Sequence, residues 1–235
     1  MKHSSTFKLK GDNINMTTFK QINPKHEEII LAAPRKDVFN DEQLVFQGVE
    51  QNPEKVDAII TNMANNIETM RRGGLDDTTP KENNAETNTD YKQPIPYALI
   101  KRGNEIFVYE RLLGGGESRL HNKLSVGIGG HSNPENTPDF NEVIMINLER
   151  ELEEELNLLT KSKHLKFIGL INDDENEVGR VHLGILAAIE LPLDAEVTVR
   201  ETEQLRGFWS TVEELKQPEL YNRLESWSQI AIDIM

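Results

Sequence analysis

The run Glu149-Arg150-Glu151-Leu152-Glu153-Glu154-Glu155 places five carboxylates and one guanidinium within two helical turns. At about 100° per residue, Glu151, Glu154 and Glu155 fall within about 100° of one another, so three carboxylates share one helix face. Glu149 and Glu153 point elsewhere. Such a face repels itself, and in the C-terminal half of a helix the macrodipole adds about 0.3–1 kcal/mol against each acid. A hard divalent cation offsets both effects: Mg²⁺ takes oxygen ligands in octahedral geometry, commonly one or two carboxylates plus water and substrate phosphate. Mn²⁺ is the alternative ion. Arg150, four residues before Glu154, is suited to orienting carboxylates through charge-assisted hydrogen bonds. The competing reading is a solvated acidic face, which composition alone leaves at even weight.

These side chains need a rigid support. Leu148, Leu152 and Leu156 lie beside the acidic face and would anchor a helix from about Asn141 to Leu156 on a sheet. Strands are expected at Ile29–Ala33, at Tyr97–Lys101 turning through Gly103-Asn104 into Ile106–Tyr109, at Leu124–Ile128, Leu165–Ile171, Val181–Leu191 and Val197–Arg200. Apolar residues at three-four spacing predict a helix over 54–72, and Leu224, Trp227, Ile230, Ala231 and Ile234 predict another from Tyr221 to Ile234. Thr211 carries an N-cap signal. Strands, one helix, strands and a final helix give an α/β (α+β) fold, a layered sandwich. Residues 1–24 are polar and basic and read as a flexible tail. Residues 73–92, rich in Asp, Thr, Asn and Glu, read as a disordered or loop region, because little apolar burial offsets their ordering entropy.

The 235 residues are enough for one ample domain with an appendage. The 40 acidic against 26 basic residues, a formal charge of -14, make a sequence-independent nucleic-acid binder unexpected. Small phosphate compounds stay open as substrates, because metal ions and a few local cations reverse the field inside one cleft. With no cysteine, disulfides, thiolate metal sites and Cys nucleophiles are excluded. No signal-like or membrane-length apolar run occurs, so a cytoplasmic protein without membrane contact is expected. His121, His131 and His182 have spacings that fit no compact zinc motif and read as structural histidines. Trp209 and Trp227 read as core. Asp173, Asp174, Glu175 and Glu177 read as a polar turn, with a distant catalytic carboxylate as the second option.

Around the acidic run, Glu142 precedes Arg150-Glu151 by eight residues, followed by apolar Leu152, Glu154-Glu155 and apolar Leu158. This resembles the signature of the Nudix hydrolase superfamily: glycine, five residues, Glu, seven residues, Arg-Glu, apolar, any, Glu-Glu, any, glycine, apolar. Every charged position is matched. Asn157 replaces the closing glycine, and a left-handed helix end is expected there, since Asn is the usual second choice. The first glycine falls at Asn136, while Gly129-Gly130 lies earlier, which implies a longer loop from His131 to Phe140. Lys92–Tyr97, Leu124–His131 and Gly179–Gly184 are similar to a bacterial phosphoesterase-like Nudix subgroup, as is the upstream segment 29–72.

The resemblance implies a Nudix-type α/β/α sandwich with a mixed sheet, with 25–92 as an N-terminal accessory segment and 93–235 as the hydrolase core with a C-terminal helix. It implies a hydrolase of acid anhydrides that cleaves a nucleotide-like diphosphate by water attack on phosphorus. Glu151, Glu154 and Glu155 would hold Mg²⁺, with Arg150 completing the catalytic set. Gly129, Gly130, Arg111, Arg119, Lys123 and Arg180 are candidates for contacting substrate. By analogy the protein is expected to form a homodimer. The alternative is a catalytically silent Nudix scaffold that binds a nucleotide or a protein. A prenyl-diphosphate isomerase would need a cysteine as acid in its best-known form.

Overall fold

The computed structural model describes residues 23–112, 122–160, 162–200, 202–203 and 205–235. Arg119, His121 and nearly all of the 1–24 tail lie outside the described residues. The first half of the chain gives β1 (Ile29–Pro34), α1 (Arg35–Val38), β2 (Gly48–Glu50), α2 (Pro53–Asn66), β3 (Glu68–Arg71), β4 (Tyr91–Arg102), β5 (Glu105–Arg111), β6 (Leu124–Ser125) and β7 (Gly127–Gly129). Then follow α3 (Phe140–Glu155), β8 (Leu156–Leu159), β9 (His164–Asn172), α4 (Glu177–Val181), β10 (His182–Leu191), β11 (Glu196–Val199) and β12 (Leu205–Thr211). The chain ends with α5 (Val212–Leu215), α6 (Pro218–Tyr221) and α7 (Ser226–Asp233).

Strand β4 shows how the layers arise. Its interior residues are buried on both faces, as in a sheet covered on both sides. Ala98 and Ile100 enter one core with Leu148 and Leu152 of α3. Tyr97 and Leu99 enter a second core with Leu215, Leu224, Ala231 and Ile232. The period of two along one strand thus feeds two helical layers. The main sheet runs β12-β5-β4-β10-β9-β2, and it is mixed: β4 and β10 are parallel over ten residue pairs, while their outer neighbours are antiparallel. This is an α/β/α sandwich.

The turn joining β4 to β5 follows from Gly103, which takes φ +59, where a side chain would be strained. Thr211 forms a capping box with Glu214, as its sequence signal indicated.

Three local expectations need correction. The helix over 54–72 stops at Asn66; Glu68–Arg71 pairs antiparallel with β1, placing Met70 beside Ile30 in a buried cluster. Strand pairing there satisfies backbone groups that a helix end would leave open. The helix from Tyr221 to Ile234 is broken, because Leu124 accepts from Glu225 N and donates to Arg223 O, both at 2.9 Å, pulling the chain flat against β6. Asn157 is not left-handed: α3 runs directly into β8, where Asn157 pairs with Thr198. The exposed carbonyls of Glu155 and Leu156 accept from the backbone and side chain of Arg200, at 2.8 and 2.9 Å, so no glycine-type cap is needed.

Residues 73–90 form a loop, and an ordered one. It contains two single turns of 3-10 helix, Lys81–Asn83 and Ala85–Thr87, and buries Asn84, Ala85 and Asn88 before β4 begins. Polar bonds supply the order that apolar burial does not. Asn84 Nδ2 donates to Gly74 O at 2.9 Å, Gln93 Nε2 to Ala85 O at 2.9 Å, and Glu86 N to Arg72 O at 3.0 Å. The upstream segment also shares a core with the rest: Phe39, Ile59 and Met63 pack with Phe140, Ile144 and Leu170.

Candidate active site

The loop before α3 is held by one buried side chain. Asn147 Oδ1 accepts from Asn133 N at 2.9 Å, and its Nδ2 donates to Asn133 O at 3.0 Å and Val143 O at 2.9 Å. An amide saturated in this way fixes the 131–140 loop to the helix despite its length. Asp139 caps α3 by accepting from Asn141 N at 2.9 Å, and Glu142 accepts from Thr137 Oγ1 at 2.6 Å. Glu142 therefore serves the loop.

One turn further on, Arg150 connects the loop to the acids. Its Nη2 donates to His131 O at 2.8 Å and to Asn147 Oδ1 at 3.2 Å; its Nη1 lies 2.7 Å from Glu151 and 3.4 Å from Glu154. Glu151 is buried. Burial raises its carboxyl above the ordinary range, the Arg150 charge opposes that shift, and the Glu154 charge adds to it. Glu151 lies against Gly130, where a Cβ would come within 2.4–2.6 Å of the carboxyl atoms. Gly129 is equally confined, but by backbone: its Cβ would meet Pro96 O at 2.0 Å. Glycine at both positions lets the strand end lie flush against β4 on one side and the carboxylate on the other.

Glu151, Glu154 and Glu155 line a cleft of about 880 Å³ together with Arg150, Gly129 and Gly130. Arg111 and Lys123 line it as well, so two of the cations expected to contact substrate share it with the acids. Arg111 is held by Glu225 at 3.0 Å and lies over Tyr109. Arg180 is elsewhere: its Nε donates to Asp174 O at 3.0 Å, and it does not line the cleft. Asp173 and Asp174 do not line it either. Asp174 is bound by Arg35 and by the fully buried Lys92, each at 2.9 Å, while Asp173 accepts from Gln47 at 2.8 Å and from Asn176. These acids tie the upstream segment to the core. Trp227 packs edge-on against Tyr97 at 5.5 Å and forms part of the cleft wall. Trp209 packs edge-on against Phe107 at 5.3 Å and is only half-buried, covered by Arg102; both tryptophans, read as core from the sequence, border the core instead.

The structure also brings in groups that sequence spacing did not reveal. Lys25, Glu28 and Arg72 of the upstream segment line the cleft. Glu86 meets His131 and His182 beside it: His131 Nε2 is 3.2 Å from Glu86 Oε1 and 3.2 Å from His182 Nε2. Burial pushes His182 down to about 3. Glu86 is held down at about 2: burial works in the opposite direction, but the His131 hydrogen bond and the electrostatic effect of His131, His182 and Arg72, in that order, outweigh it. No periodicity links positions 86, 131 and 182, so only the fold could place them together.

No protein-family model matches the chain. It is 51% identical over 213 residues to protein YmaB of Bacillus subtilis (strain 168), a match covering 90% of this chain and 98% of that protein. Among solved structures it resembles Tm1382, assigned as a Nudix hydrolase, with 27% identity and a TM-score of 0.66 over 88% of this chain and 97% of that one. A MutT Nudix hydrolase from Burkholderia pseudomallei is more distant, at 18% identity and a TM-score of 0.40, over 60% of this chain and 96% of that one. Among the described residues no helix is long and apolar enough to cross a membrane.

Proposed function

The chain belongs to the Nudix hydrolase superfamily, and on that footing we propose that it is a Mg²⁺-dependent diphosphohydrolase of a nucleotide or nucleoside-diphosphate derivative. One observation carries this reading: Glu151, Glu154 and Glu155 line the same cleft as Arg111 and Lys123. Acids that bind metal and cations that bind phosphate are what a diphosphate needs in one place.

The donor set suits a hard cation. It consists of carboxylate oxygens alone, and the confined Gly130 leaves Glu151 room to lie against the loop. A bound Mg²⁺ or Mn²⁺ would neutralise charge on the diphosphate oxygens and on the displacement that cleaves them. The protein's own groups do the rest. Arg150 fixes Glu151 and the His131 carbonyl in one unit, so the helix and the loop keep a constant relation. Arg111 and Lys123 attract and orient the phosphates. An α3 carboxylate takes the proton of the attacking water, and the fixed geometry lowers the entropic part of the barrier. Trp227 offers an apolar surface to the group carried by the diphosphate.

The test is a panel of nucleoside triphosphates, dinucleoside polyphosphates, nucleotide sugars, ADP-ribose and NADH, assayed with and without Mg²⁺. One class should release a monophosphate only when metal is present. Glu154→Gln and Glu155→Gln should lower that rate by about 100-fold or more while retaining the native circular dichroism. Unchanged turnover in both variants would end the assignment of α3 as the catalytic element. Ligand-dependent melting shifts without turnover on any compound would favour a silent scaffold instead.

A further inference from the structure

We propose that Glu86, His131 and His182 form a second metal site, separate from the α3 carboxylates, that binds a divalent transition-metal ion of the zinc class. The three donor atoms lie within 4.8 Å of one another. His131 Nε2 is 3.2 Å from each of the other two. In a tetrahedral zinc site with bonds of about 2.0–2.1 Å, neighbouring ligand atoms are about 3.3–3.4 Å apart. Two edges of the polyhedron are therefore already set, and a turn of the Glu86 carboxyl closes the third.

Proton counting favours a cation. His182 Nδ1 lies 2.7 Å from Val178 O, so that nitrogen carries the hydrogen of the neutral ring and Nε2 presents a lone pair. Glu86 Oε1 presents another. His131 Nε2 has one hydrogen at most to share between these two acceptors. A metal ion would accept all three lone pairs at once. The outer contacts match those of a ligand set: a ligating histidine usually donates its other nitrogen to a carbonyl, and a ligating carboxylate is itself hydrogen-bonded. Val178 O serves His182, and Arg72 Nε donates to Glu86 at 3.0 Å.

Two imidazoles and one carboxylate distinguish this site from an all-oxygen magnesium site. Three protein ligands leave a coordination position free, and two of them, His131 and His182, line the cleft that also holds the α3 carboxylates. Binding of this ion requires neither hydrolysis nor Mg²⁺ on α3.

The experiment uses untagged full-length protein stripped with chelator and then titrated with Zn²⁺, and with Co²⁺ as a visible probe, in excess Mg²⁺. One equivalent of each should bind. Cobalt should show the absorption of low coordination number, and zinc at a hundredfold excess over its Kd should raise the melting temperature by about 5–10 °C. His131→Gln and Glu86→Gln should each weaken binding by about 100-fold, while Glu154→Gln keeps it. His182 is buried and its replacement risks misfolding, so it is followed instead in the intact protein by the imidazole nitrogen resonances, of which Nε2 and not Nδ1 should shift with zinc. Absence of stoichiometric binding overturns the proposal. Binding abolished by Glu154→Gln but retained by His131→Gln and Glu86→Gln overturns it too, because the ion then sits on α3.

Discussion

Gly130→Ala offers a sharp test of the site, because one added carbon bears directly on Glu151. The new Cβ would be 2.4 Å from Oε1, 2.5 Å from Cδ and 2.6 Å from Oε2 of that carboxylate. Ordinary contact needs about 3.4 Å or more, so the carboxyl must retreat by about 1 Å. A misplacement of that size in a catalytic group costs about 100-fold in rate, or about 2.7 kcal/mol of transition-state stabilisation. The fold should tolerate the change, since the clash is with the far end of a side chain and Gly130 is not among the positive-φ glycines. Gly129→Ala is the contrasting control: its Cβ would meet the Pro96 carbonyl at 2.0 Å, which is backbone in the sheet. The assay is kcat/KM on the active compound of the panel with a Mg²⁺ titration, beside the melting temperature of each variant. Gly130→Ala should lose turnover and metal affinity with a nearly native melting temperature, and Gly129→Ala should lose several degrees. Activity of Gly130→Ala within threefold of wild type would refute the role given to the Gly130–Glu151 contact. So would a loss fully explained by unfolding.

Further outcomes follow from the same structure. Arg150→Lys should lower kcat/KM about tenfold or more with a small change in stability, because an ammonium cannot reach the His131 carbonyl and Glu151 together. Asn147→Ala should destabilise the protein by about 2–3 kcal/mol in urea unfolding, leaving Asn133 N and its carbonyl without the buried amide that pairs them. Lys92→Met should cost about 3–5 kcal/mol, since it removes the buried partner of Asp174 and of the Gly179 and His182 carbonyls. Burial pushes Lys92 down to about 8, below its unfolded value, so between about pH 8 and 10.5 the unfolded chain holds the extra proton. The wild type should therefore gain stability relative to Lys92→Met as pH rises through that window, by about 3 kcal/mol at most. A relative loss there would contradict the assigned direction.

Much of the fold was legible because local periodicity encodes it. β4 and β10 read as strands from their apolar runs, and α3 reads as a helix from Leu148, Leu152 and the acids beside them. Glu151, Glu154, Glu155 and Arg150 sit within one helix, where spacing fixes which side chains share a face, so their convergence needed no tertiary information. The boundaries that went astray are those where a distant partner decides. Glu68–Arg71 became a strand because β1 lay beside it, and the last helix broke because Leu124 claimed the backbone of Arg223 and Glu225.

What the sequence by itself determined is the acidic helix face and the family it resembles, since both are properties of neighbours along the chain. Only the tertiary structure decided that Arg111 and Lys123 share the cleft while Arg180 does not, and that Glu151 depends on a missing Cβ at Gly130. Only it assembled Glu86, His131 and His182, from a polar stretch, a loop and the start of a strand. The physical reason is the same in each case. A helix relates residues three and four apart by its own geometry, whereas groups about fifty residues apart meet only after the sheet has paired and the cores have closed.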